Sequence, residues 1–128
     1  MARPRSEHPT NAELAILRAL WRRGPSTVAE VRAELDQKHA VGYTTVLKLL
    51  QIMVEKGLAR RDEARWPHVY RAAVTEEATQ KRLVRDLMDR AFGGSAADLV
   101  LRALAAKPAS AEELEEIREL LDRTGETT

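Results

Sequence analysis

The chain contains no cysteine. This excludes disulfides, thiolate metal sites and cysteine nucleophiles, and it agrees with a reducing, cytoplasmic setting. Aromatic residues make up only 4% of a sequence that is 44% hydrophobic. The core must therefore come from Leu, Val, Ile, Ala and Met, which favours helices over strands. No apolar run approaches the roughly 20 residues that cross a bilayer. Residues 1–9 carry basic side chains with no apolar segment behind them, which reads as a flexible arm rather than a secretion signal. His8, His39 and His68 have no metal-ligand spacing. Neither a phosphate loop nor a Gly-rich nucleotide fingerprint is found. Glu112, Glu113, Glu115 and Glu116 form an acidic run, and at a helix start such a run is a solvated turn favoured by the helix dipole. The expectation is no enzyme, no cofactor and no metal.

Charge is present but unevenly distributed. Over residues 1–72 there are thirteen Lys and Arg against eight Asp and Glu, and over 73–128 eight against twelve. A basic front and an acidic back point to a polyanion partner for the front alone.

The helix signals are local. Thr10 and Glu13 have capping-box spacing before the apolar stripe Leu14, Ile16, Leu17, Leu20 and Trp21. Arg22 and Arg23 suit the end of that helix, and Gly24-Pro25 stops it. Thr27 and Glu30 repeat the box before Val28, Val31 and Leu35, a short second helix ending near Asp36 or Gln37. A turn over residues 38–42 follows. The third helix, Tyr43–Lys56, places Val46, Leu49, Leu50, Met53 and Val54 on one face, and Gly57 suits the left-handed position after it.

The period then shortens. Residues 58–62 and 68–72 read as two strands, with the hairpin tip at 63–67. Arg60, Arg61, Arg65 and Arg71 cluster there. Arg60 and Arg61 must point to opposite faces, so one of them is turned away from any partner, and Arg71 can equally pair with a surface carboxylate. Trp21 reads as a core anchor and Trp66 as a wing-packing residue. Three helices followed by a basic hairpin describe a winged helix-turn-helix over residues 10–73.

Beyond it, residues 75–92, 95–105 and 110–124 read as three amphipathic helices, separated by Gly93-Gly94 and Lys107-Pro108, with 125–128 a fraying tail. The fold class is thus mainly α (α+β), a winged helix-turn-helix followed by a helical domain at 74–124. Its apolar residues Leu83, Leu87, Leu99, Leu101, Leu104, Leu114, Ile117 and Leu121 are too few for a core of their own. They either meet the same faces of a second chain or fold back on the N-terminal domain, and a homodimer is the simpler solution.

An α-helix fits the major groove, and the first residues of a recognition helix reach base edges. The outward positions of the third helix are Tyr43, Thr44, Leu47 and Lys48, with Thr45 partly so and Gln51 further on. Threonine can bond a base or touch a thymine methyl, Leu47 offers apolar contact, and Lys48 can donate to guanine or phosphate. Arg60 and Arg65 add wing contacts to phosphates or the minor groove. The expected partners are double-stranded DNA and a second copy of the chain. A protein-interaction module built on the same scaffold is the alternative, since fold alone does not give function.

Several stretches in this order resemble the penicillinase repressor family, the group that includes BlaI, MecI and the copper-responsive CopY. They are residues 13–21 (ELAILRALW), 42–46 (GYTTV), 50–58 (LQIMVEKGL), 69–71 (VYR) and 92–95 (FGGS). The resemblance covers residues 10–123. It implies a transcriptional repressor that binds an inverted-repeat operator, often built on TACA/TGTA, as a homodimer. It implies base and backbone contacts at Thr44, Thr45, Leu47 and Lys48, although some relatives carry basic residues in place of Thr44 and Leu47. It also implies release by cleavage in the dimerisation region, set off by a membrane metalloprotease sensor responding to a cell-envelope or antibiotic signal. The family's Asn-Phe cleavage bond stands here as Arg102-Ala103, and the cysteine pairs of the copper-responsive branch are missing.

Overall fold

A computed structural model describes residues 8–36 and 40–126. Lys38 and His39 of the expected turn, residues 1–7 of the expected arm and the last two residues of the tail lie outside the described residues. The elements run α1 (Asn11–Arg23), α2 (Val28–Asp36), α3 (Tyr43–Lys56), β1 (Ala59–Asp62), β2 (Val69–Ala72), α4 (Glu76–Ala91), α5 (Ala96–Ala106) and α6 (Ala111–Glu126). The tail expected from Gly125 onward is helical as far as Glu126. Among the described residues, no helix is long and apolar enough to cross a membrane.

Local chemistry accounts for most of the boundaries. Three capping boxes form. Thr10 and Glu13 cap α1, Thr27 and Glu30 cap α2, and Ser110 and Glu113 cap α6, each through a pair of hydrogen bonds of 2.9–3.2 Å. Gly57 ends α3 at φ 82° in the left-handed region, where a Cβ would be strained, and its N–H bonds back to the last turn.

The chain divides into two compact units, residues 1–84 and 85–128, with the division inside α4. In the first unit, Ile16, Leu17 and Leu20 of α1 pack with Val28 and Val31 of α2, Val46, Leu50 and Met53 of α3, and Leu58, Ala59 and Tyr70 at the wing. The start of α4 belongs to this unit. Trp21 Nε1 donates to the Val74 carbonyl at 2.9 Å just before it, and Thr79 in its first turn is buried. His8 and Pro9, read from the sequence as the end of an arm, are half-buried and line a small cavity of about 60 Å³ with Leu58, Val74 and Thr79.

β1 and β2 form an antiparallel ladder that pairs Arg60 with Arg71 and Arg61 with Tyr70. A further rung joins the other edge of β2. Ser26 N–H donates to the Tyr70 carbonyl at 2.9 Å, and Tyr70 N–H donates to the Ser26 carbonyl at 2.8 Å. Ser26 is buried, so the turn between α1 and α2 fastens the hairpin to the helical core.

In the second unit, α5 is capped by Ser95, whose hydroxyl accepts from Asp98 N–H. No described residue between 85 and 125 is buried. Leu99, Leu104, Leu114 and Ile117 are half-buried, whereas Leu87, Val100, Leu101, Leu120 and Leu121 are exposed.

Candidate nucleic-acid interface

α3 divides by face. Val46, Leu50 and Met53 are fully buried, Leu49 and Val54 are half-buried against them, and Tyr43, Thr44, Thr45, Lys48 and Gln51 are exposed. Leu47 departs from the outward role expected of it. It is half-buried and packs against the core, because it lies one residue from Val46 and shares the edge of the buried stripe. Thr44, one helical turn before it, and Lys48, the next residue, are both exposed.

The start of α3 differs from the capped starts of α1, α2, α5 and α6. Its N-cap is Gly42, with no side-chain hydrogen bond, and its first turn holds no acidic residue. The free N–H groups there carry the positive end of the helix dipole, which suits a phosphate. Tyr43, Thr44 and Thr45 surround that end, and Lys48 follows one turn later without an acidic partner among the described residues.

The hairpin sorts its arginines by the alternation of the strand. Arg61 is half-buried and held by Glu63 at 2.6 Å, with a second bond at 3.1 Å. Hydrogen bonds that Arg61 donates to Glu63 and Tyr70 raise its pKa above the ordinary value, and the same pairing lowers that of Glu63. Arg61 is therefore already neutralised. Arg60 is exposed, and its partner across the ladder is the equally exposed Arg71. Like charges directly opposite each other are unfavourable in a free hairpin, and an anion between them removes the penalty. Arg71 was not among the residues expected at the interface. The sequence signal that finds it is the strand register, since counting back from the tip brings residues 60 and 71 opposite. Arg65 is exposed at the tip.

Trp66 also corrects an expectation. It does not pack into the wing but is 85% exposed, its ring perpendicular to that of His68 with centroids 5.0 Å apart. A hairpin of two four-residue strands has no interior large enough to cover an indole at its tip.

The penicillinase repressor family model matches residues 9–123. The chain belongs to the penicillinase repressor family. This makes it a transcriptional repressor rather than an enzyme. It is 20% identical to the penicillinase repressor of Staphylococcus aureus over 111 residues, which cover 87% of this chain and 88% of that one. Among solved structures, a MarR family protein from Bacillus stearothermophilus is similar over 93% of this chain and 74% of its own, with 18% identity and a TM-score of 0.50. That likeness concerns the fold, which is winged-helix.

Proposed function

We propose that this repressor binds an inverted-repeat operator as a homodimer, each copy reading one half-site with the exposed start of α3. The observation that carries the reading is the polar, uncapped and carboxylate-free N-terminus of α3, followed directly by a hairpin with two unneutralised, opposed arginines. Thr44, Thr45 and Lys48 face base edges, with Leu47 offering the border of its side chain to a thymine methyl. The helix N-terminus, Arg60 and Arg71 hold phosphates, and Arg65 serves the tip. Two half-sites related by the dimer axis then lie about 34 Å apart or slightly more, one turn of the duplex. Repression is steric, by occupation of a promoter.

The second copy is supported by the helices after residue 84. No described residue after 84 is buried, and Leu87, Leu101 and Leu121 are left in water together with Val100 and Leu120. Leu83, Leu99, Leu104, Leu114 and Ile117 are half-covered within a single chain, so the exposed leucines are the ones left for a partner. Release follows proteolysis in this region, in response to a cell-envelope or antibiotic signal relayed by a membrane metalloprotease sensor. Arg102 and Ala103 are both exposed on α5.

A gel-shift titration on the DNA upstream of the protein's own gene tests the reading. A specific shift that survives excess unrelated duplex at moderate salt is expected. Equal binding to both DNAs would overturn it.

A further inference from the structure

We propose that Trp66 determines specificity outside the stretch that α3 covers, by reading an A·T-rich minor groove from the tip of the wing. The inference rests on the DNA-binding reading above and extends it to sequence preference at the flanks of the half-site.

At 85%, Trp66 is the most exposed of the large hydrophobic side chains described. The chain has two tryptophans, and they contrast. Trp21 is half-buried with its N–H satisfied by Val74. The N–H of Trp66 meets no acceptor among the described residues and is open to a partner at the surface. The ring is nonetheless oriented, perpendicular to His68 and next to Pro67, whose φ is fixed.

The surroundings identify the partner's chemistry. Arg65 precedes Trp66 and is exposed, and the Arg60–Arg71 pair lies about 10 Å back along the hairpin. The acidic residue at the tip, Glu63, is already spent on Arg61. A large apolar ring with a free donor and a basic rim suits a polyanion better than an apolar protein surface. The minor groove at A·T pairs offers acceptors only, the N3 of adenine and O2 of thymine. In A-tracts it is narrow and strongly negative, which attracts a cation such as Arg65. At G·C pairs the 2-amino group of guanine is a donor, and it would confront the indole N–H donor to donor. Trp66 therefore favours A·T over G·C at the flanks.

Selection from a random duplex pool with the full chain tests this. Wild type is expected to enrich a core with an excess of A·T pairs on its flanks. Trp66→Ala should keep the core and lose the flanking bias. Trp66→Phe keeps a ring but has no donor, and it should also lose the discrimination. On duplexes carrying the enriched core, exchanging flanking A·T for G·C should weaken wild type about tenfold, or 1.4 kcal/mol. Exchanging guanine for inosine in those flanks removes only the 2-amino group and should restore binding. A core enriched without flanking bias, a bias unchanged in Trp66→Phe, or no recovery with inosine would each overturn the inference and leave the DNA-binding reading standing. Enrichment of no sequence at all would overturn that reading itself. Circular dichroism establishes that the variants fold, and Trp66→Phe decides the matter if Trp66→Ala does not.

Discussion

Glu13 and Lys56 meet at 2.7 Å, joining the first turn of α1 to the last turn of α3. Their side chains are 3% and 13% exposed. Glu13 also accepts from Thr10 N–H at 2.9 Å, so one carboxylate caps α1 and anchors the end of the helix proposed to read DNA. Burial pushes the Glu13 carboxyl up, but hydrogen bonds from Lys56 and Thr10 and the charge of Lys56 outweigh it and hold the pKa below the ordinary value.

Because its folded pKa is depressed, Glu13 contributes stability above its unfolded value, and that contribution is lost as pH falls through the folded one. Glu13→Gln retains a capping side chain but leaves Lys56 without its charge partner. We expect a loss of about 2 kcal/mol at neutral pH, less than for a fully buried pair because Lys56 reaches solvent. Denaturant titrations between neutral and acid pH should show the gap between wild type and variant closing on acidification. A constant gap would show that the pair adds no pH-dependent stability.

The Arg60–Arg71 pair leads to a prediction of opposite sign for the free and bound protein. Either arginine changed to Ala relieves a like-charge repulsion, so the thermal midpoint of the free protein should be unchanged or higher. Operator affinity should fall, and the slope of log affinity against log salt should become shallower by about one for each phosphate that the variant no longer neutralises. A slope identical to wild type would remove these arginines from the interface.

On α3, Lys48 and Leu47 should separate binding from stability. Lys48 is exposed, so Lys48→Ala should leave the unfolding midpoint in place and weaken operator binding at least tenfold, about 1.4 kcal/mol. Leu47 packs against the core. Leu47→Ala should therefore cost about 1–2 kcal/mol of stability as well as affinity. Equilibrium unfolding beside gel-shift titration distinguishes the two patterns.

Leu101 and Leu121 are 61% and 63% exposed on α5 and α6. Changing both to Glu places charge on the proposed dimer seam. Sedimentation at micromolar concentration should show a dimer for wild type and a monomer for the double variant, with the far-ultraviolet circular dichroism unaltered. A wild-type monomer with folded helices, or a double variant that stays dimeric, would exclude this face as the seam.

The helices and the wing were legible because their signals are short-range. The boxes Thr10–Glu13, Thr27–Glu30 and Ser110–Glu113 need only a spacing of three, and the stripe through Val46, Leu50 and Met53 only the helical period. The exposed start of α3 follows from the same period, since the residues opposite a buried stripe face solvent. Leu47, at the border of that stripe, belongs partly to both faces, and a periodic pattern has no means of dividing it.

By itself, then, the sequence determined the order of elements, the capping boxes and the face that α1, α2 and α3 each bury, all of which depend on residues within one or two turns of each other. Tertiary structure alone decided the rest. It buried Glu13 beside Lys56, 43 residues away. It made Ser26 a rung on Tyr70. It also turned Trp66 outward from a hairpin too small to cover it. The Glu13–Lys56 and Ser26–Tyr70 pairings depend on which helix end and which strand edge meet, and they arise only when distant segments close on a common core.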